Sequence, residues 1–121
     1  MTQAAKTKTA PAPRPAHTLG HTAQLFRAMG DEGRLGVLVL LLDRGELCVS
    51  TIAEATGEQV ATVSQRLRVL RTEGLIRKRR DGKHIYYAIA DAHVARLIVD
   101  ALAHAEDCLH PAVRAAEKTG R

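Results

Sequence analysis

Residues 50–89 read STIAEATGEQVATVSQRLRVLRTEGLIRKRRDGKHIYYAI, and the order of elements in this stretch decides the fold. Ser50 suits the N-cap of a short helix over Thr51–Ala55, with Glu54 placed to complete a capping box. Gly57 supplies a turn, and a second helix runs from about Val60 to Glu73. Val60, Val63, Leu67 and Leu70 fall on one buried stripe, which leaves Thr62, Ser64, Gln65, Arg66 and Arg68 on the other faces. Gly74 closes that helix. The run Leu75–Arg80 then meets Asp81-Gly82, a strong hairpin-turn signal, and returns through Lys83–Ile89. Ile85, Tyr87 and Ile89 alternate as a half-buried strand does.

Upstream, Arg34–Asp43 (RLGVLVLLLD) is apolar almost all round, which marks a central helix ended by Arg44-Gly45. Gly30-Asp31-Glu32-Gly33 separates it from an earlier helix that begins around Thr18 or Thr22. Downstream, a long helix runs from Asp91 to about His110, stopping before Pro111. The expected fold is mainly α with a small β-hairpin: a winged helix-turn-helix over 19–110, dimeric through its N- and C-terminal helices. Residues 1–18 read as a disordered basic tail and 111–121 as a flexible C-terminal tail.

Only Phe26, Tyr86 and Tyr87 are aromatic, so the core of this 121-residue chain must be built from Leu, Val, Ile and Ala. The longest strongly apolar run, Val37–Leu42, is far short of the ~20 residues a membrane span needs. No secretory signal is expected from Met1–His21, and two cysteines sixty residues apart make no disulfide framework. A cytoplasmic protein with no membrane partner is the expectation. The net charge of +5 is uneven: residues 66–84 hold +6 and residues 1–20 hold +3, on a remainder of −4. That concentration suits a polyanion, through counterion release from phosphates.

A helix of this size fits the major groove of double-stranded DNA. Thr62, Ser64, Gln65, Arg66 and Arg68 are its candidate contacts. Arg77 to Arg80 and Lys83 sit beside the hairpin tip, within reach of the flanking backbone or minor groove, with Arg79, Arg80 and Lys83 the candidate contacts among them. At these residues the chain resembles the ArsR/SmtB family of metal-responsive repressors. The resemblance covers roughly residues 22–110. It rests on Ala28-Met29-Gly30-Asp31-Glu32-Gly33-Arg34-Leu35, on Glu46-Leu47-Cys48-Val49, on Val63-Ser64-Gln65-Arg66-Leu67-Arg68-Val69-Leu70 with Gly74-Leu75-Ile76, and on the wing Arg80-Asp81-Gly82-Lys83 with Ile85-Tyr86-Tyr87. The resemblance implies a homodimer that binds operator DNA when metal-free and lets go when metal binds. One departure is Arg66, where members often carry His.

The last helix carries Asp91, His93, His104 and Asp107. At 100° per residue His93 and His104 lie ~20° apart, with Asp107 ~40° to the other side. Asp100 shares this stripe, which borders the apolar set Val94, Leu97, Ile98, Ala101, Leu102 and Leu109. His93 and His104 are ~16 Å apart along the axis, too far for one ion with ~2 Å bonds. Two antiparallel copies across a two-fold axis bring Asp91 and His93 of one to His104 and Asp107 of the other. From the residues alone, a polar rim with Asp91 as N-cap stands equally open. The resemblance favours the metal reading, because Asp-x-His, ten residues, His-x-x-acid matches the family's pattern, with Glu106 or His110 as substitutes for Asp107.

Two nitrogen and two oxygen donors suit Zn(II), with Co(II), Cd(II) and, given more ligands, Ni(II) as alternatives. A second family site near Cys48 is expected to be degenerate, since Ser50 and Thr51 replace ligands and His17 and His21 are the only upstream donors. Cys48 then reads as a packed thiol and Cys108 as a surface residue. A winged-helix regulator without metal response is the runner-up. A metalloenzyme is the weakest reading, because no phosphate loop, nucleophile motif or HExxH-like run appears.

Overall fold

The computed structural model of the chain describes residues 13–109. The elements are α1 (Ala16–Met29), α2 (Glu32–Arg44), β1 (Leu47–Cys48), α3 (Val49–Thr56), α4 (Val60–Thr72), β2 (Ile76–Asp81), β3 (His84–Ile89) and α5 (Ala92–Leu109). His110, the 111–121 tail and residues 1–12 lie outside the described residues. The winged helix-turn-helix is present in full: α3 and α4 form the helix pair and β2–β3 the wing.

Asp31 sets the start of the central helix. Its backbone is extended, and its carboxylate accepts a hydrogen bond from the Arg34 N–H at 3.0 Å. A cap of this kind contributes about 1 kcal/mol. The Arg34 side chain reaches back, its Nε donating to the Ala28 carbonyl at 2.8 Å, which ties α2 to the last turn of α1. Around α2 the fully buried side chains Val37, Leu38, Leu41, Ile52, Val63, Leu67, Leu70, Leu75 and Ile98 close one core drawn from every helix but α1. Ala28 and Met29 bring α1 into it. Each fully buried Leu or Ile is worth roughly 1.5–3 kcal/mol of transfer free energy. No charged side chain is buried among the described residues.

The structure corrects four local expectations. Helix α1 begins at Ala16, before Thr18, because Pro15 already holds a helix-compatible φ of −57° and its carbonyl accepts from the Thr18 N–H at 3.0 Å. Helix α3 is capped by Cys48, not Ser50, and no Ser50–Glu54 capping box forms. The cause is a third strand: Leu47 and Cys48 pair antiparallel with Tyr87 and Tyr86, so the chain leaves the sheet straight into the helix. The sheet order is therefore β1-β3-β2. The alternation in β3 is blurred, since Ala88 is its most buried residue while Ile85, Tyr87 and Ile89 are half-buried. Both faces of that strand are covered. Lastly, Val60 is 50% exposed. It lies within ~20° of Leu67 in helical phase, but it is the first residue of α4 and so stands at the open end of the stripe that Val63, Leu67 and Leu70 bury.

Apolar surface remains where two helices run past the core. Leu19 and Phe26 on α1, and Leu97, Val99 and Leu109 on α5, are large exposed hydrophobics. Ile98 is the one fully buried residue described in α5. Among the described residues no helix is long and apolar enough to cross a membrane.

Candidate nucleic-acid interface and metal donors

Helix α4 owes its orientation to Gly57 and its own apolar stripe. Gly57 ends α3 in the left-handed region (φ 73°), which only glycine adopts without strain, and its N–H returns to the Ala53 carbonyl. Val63, Leu67 and Leu70 then pin α4 against the core. Relative to the Val63 direction, Arg71, Ser64 and Arg68 project at about 80–140°, Thr72 and Gln65 at about 180–200°, and Thr62 and Arg66 at about 260–300°. The helix has two flanks, and they are used differently.

On one flank Arg66 folds inward. Its guanidinium meets the Glu58 carboxylate at 3.4 Å, and its side chain is only 23% exposed. It lies over Gly33, where an added Cβ would stand 2.5 Å from the guanidinium. That close approach requires the glycine. Thr62 is half-buried on the same flank. Ser64, Gln65 and Arg68 are exposed on the outer face and the opposite flank.

The wing divides its cations by strand alternation. Arg77 and Arg79 share one face of β2, Lys78 and Arg80 the other. Arg79 forms a two-pronged bond with Glu46, Nη2–Oε1 at 2.7 Å and Nε–Oε2 at 3.0 Å, with its guanidinium 5.0 Å from the centre of the Tyr86 ring. The hydrogen bonds from Arg79 hold the Glu46 carboxyl below its ordinary range, and Glu46 raises Arg79 in turn. Arg77 donates to the Ile89 carbonyl at 2.8 Å and reaches that of Ala90 at 3.5 Å, joining β2 to the entrance of α5. Arg80 bonds the Gly82 carbonyl at the hairpin tip, at 3.3 Å, and Lys83 is exposed beside it. Lys78 faces α4 across a cleft of about 210 Å³ lined also by Ser64, Leu67, Arg68, Arg71 and Tyr87.

Two participants escaped the sequence reading of the site: Glu46 and Arg71. Arg71 carried a legible signal, since Ser64, Arg68 and Arg71 recur at i, i+4, i+7. Lys78 was among the expected hairpin cations, and strand alternation separates it from Arg77 and Arg79. Glu46 carried none, because its partner lies 33 residues away.

The α5 donors form two separate groups. Asp91 caps the helix: Oδ1 accepts from the Val94 N–H at 3.1 Å, which holds its carboxyl below the ordinary range. The same oxygen is 3.4 Å from His93 Nδ1, and the His93 side chain is 96% exposed. About three turns away, His104 and Asp107 are exposed, and His104 Nε2 contacts Cys108 Sγ at 3.5 Å. Glu106 is exposed beside them. Asp100 is engaged by Arg96 at 3.3 Å. Among the described residues no three His, Cys, Asp or Glu side chains gather in one chain as a metal group. Cys48 has hydroxyl partners, Ser50 Oγ at 3.4 Å and Thr51 Oγ1 at 3.3 Å, whose hydrogen bonds bring its thiol down to about 7.

Comparison with known proteins agrees with this geometry. The family model described as bacterial regulatory protein, arsR family, matches residues 31–78. The chain is 37% identical over 82 residues to a cadmium resistance transcriptional regulatory protein CadC homolog from Staphylococcus aureus, covering 68% of each chain. It is 35% identical over 106 residues to the HTH-type transcriptional repressor SmtB of Mycobacterium tuberculosis, covering 87% of this chain and 78% of that one. Among solved structures it is similar to a homodimeric winged helix-turn-helix DNA-binding domain from Mycobacterium bovis. There the TM-score is 0.76 at 36% identity, over 84% of this chain and 94% of the other. These relatives are regulators of transcription and not enzymes.

Proposed function

The chain belongs to the ArsR family of bacterial regulatory proteins, and from that premise we propose that it is a metal-responsive transcriptional repressor acting in the cytoplasm. As an apo homodimer it binds double-stranded operator DNA, and it lets go when a divalent metal binds, with Zn(II) favoured over Co(II), Ni(II) and Cd(II). The unit that does this is the winged domain 19–110. Ser64, Gln65 and Arg68 of α4 meet the DNA, with Arg80 and Lys83 at the wing tip.

One observation carries the metal reading: the donors stand as two exposed pairs at opposite ends of α5. Asp91 Oδ1 and His93 Nδ1 are already within 3.4 Å, and His104 and Asp107 are i,i+3 neighbours. Each pair is half a four-coordinate set of two nitrogens and two oxygens, a set that fits zinc. The exposed apolar side chains of α1 and α5 supply a surface for the second protomer, which completes each site. A bound ion supplies a charge-compensating cross-link between subunits. The chain carries the effect onward through Arg77, which ties β2 to Ile89 and Ala90, immediately before Asp91. The relative named for cadmium resistance supports a metal effector.

Co(II) titration of the apo dimer tests this. Visible absorption of four-coordinate intensity should saturate at one ion per protomer and disappear in His93→Ala. A spectrum of weak six-coordinate bands, or one unchanged in the variant, contradicts the site. The 3.5 Å contact of Cys108 with His104 favours a second donor set in which sulfur replaces Asp107. Near-ultraviolet charge-transfer absorption lost in Cys108→Ser identifies that set.

A further inference from the structure

The basic segment holds cations in two conditions. Arg66, Arg77, Arg79 and Arg80 each have a carboxylate or carbonyl partner. Arg68, Arg71 and Lys78 form no side-chain hydrogen bond or ion pair among the described residues. Yet these three converge on one cleft, between the wing-side flank of α4 and the inward face of β2. Like charges gathered without an acid repel one another, and Glu46 and Glu58 show that the fold supplies acids where it needs them. The Ser64 hydroxyl adds a donor to the same wall, and Tyr87 closes the floor opposite Lys78 in the strand register.

We propose that this cleft, lined by Ser64, Arg68, Arg71, Lys78 and Tyr87, seats one backbone phosphate of duplex DNA; the inference rests on the reading of the chain as an operator-binding protein. Its volume of about 210 Å³ equals roughly seven waters at ~30 Å³ each, room for a phosphodiester and part of its hydration. Its place explains what it reads. Gln65 and Thr72, on the outermost face of α4, point toward base edges when the helix lies in the major groove. The cleft is turned aside by ~80° on average, toward the wing, where the sugar-phosphate strand passes. Arg71 and Lys78 therefore fix the depth and register of α4 without carrying sequence information. The seat also explains the sorting of wing cations, since Lys78 faces the DNA strand while Arg79 is held by Glu46.

The test is binding of the full-length homodimer to its operator and to a scrambled duplex, by fluorescence anisotropy across a salt series. In the Arg71→Gln/Lys78→Gln double variant, affinity should fall about tenfold on both duplexes. The slope of log affinity against log salt should flatten by ~0.9 per seat, hence ~1.8 per dimer. Arg71→Lys should keep the wild-type slope, and thermal melting of each variant should match wild type, because both side chains are exposed. An unchanged slope in the double variant, or a loss confined to the operator, overturns the seat while leaving operator binding intact. A wild-type dimer with no salt-dependent duplex affinity overturns the operator-binding reading, and the seat with it.

Discussion

Arg66 and Arg68 stand two positions apart on one helix, and the fold treats them oppositely. Arg66 turns toward α2, packs over Gly33 and pairs with Glu58; Arg68 stays exposed at the cleft below the wing. The same division recurs on β2, where Arg79 is locked to Glu46 and Lys78 faces α4. Formal charge in a basic segment is therefore not the charge a polyanion meets. Acids placed far away in sequence withdraw part of it, and the withdrawn part orients the remainder.

Arg68→Ala against Arg66→Ala breaks this comparison most sharply. Arg68→Ala should weaken binding to operator and scrambled duplex alike, by about tenfold, and flatten the salt slope by ~0.9 per protomer. Arg66→Ala should leave the salt slope unchanged and lower thermal stability by no more than about 1 kcal/mol, the range of a partly exposed ion pair. Equal losses in the two variants would abolish the distinction between flanks.

A smaller effect is expected from the acids. Glu46→Gln should release Arg79 and steepen the salt slope by up to ~0.9 per protomer, whereas Glu58→Gln, on the flank facing away from the wing, should not. Acid titration gives a second handle. The Glu46 carboxyl is lower in the folded chain than its unfolded value of ~4.3, so its contribution is complete above that value. It is lost as the pH falls through the folded value. Melting temperature should therefore drop less on acidification in Glu46→Gln than in wild type.

The smallest change concerns Gly33. Its replacement by Ala pushes against the far end of a flexible side chain, so Arg66 moves aside, and the loss of its packing is offset by the better helix propensity of Ala. Stability should change by less than about 1 kcal/mol by chemical denaturation. A loss of several kcal/mol would mean that Arg66 cannot leave.

What the residues revealed in advance follows from the range of each interaction. Helices α2, α4 and α5 and the wing were legible because periodicity and the Asp81-Gly82 turn are local. Strand β1 was not, since two residues carry no alternation and gain their identity only from Tyr86 and Tyr87. That pairing also moved the cap of α3 from Ser50 to Cys48. Candidate DNA contacts were legible as residue types on a helix, but their flank was not. Helical phase separates Arg66 from Arg68, yet only Glu58 and Gly33 show which of them turns inward. The donors of α5 were legible in identity and axial spacing, and among the described residues no three His, Cys, Asp or Glu side chains gather within one chain.

The claim on which the account turns is that metal held by α5 removes the protein from DNA. The direct measurement is operator affinity of wild type and His104→Ala, by anisotropy, in the absence and presence of saturating Zn(II). Wild type should bind tightly without metal and lose affinity ~5–150-fold with it, a coupling of about 1–3 kcal/mol. His104→Ala should bind the operator equally well without metal and show no loss with it. Release of the His104→Ala dimer at the wild-type zinc concentration would contradict the account and place the sensor elsewhere in the molecule.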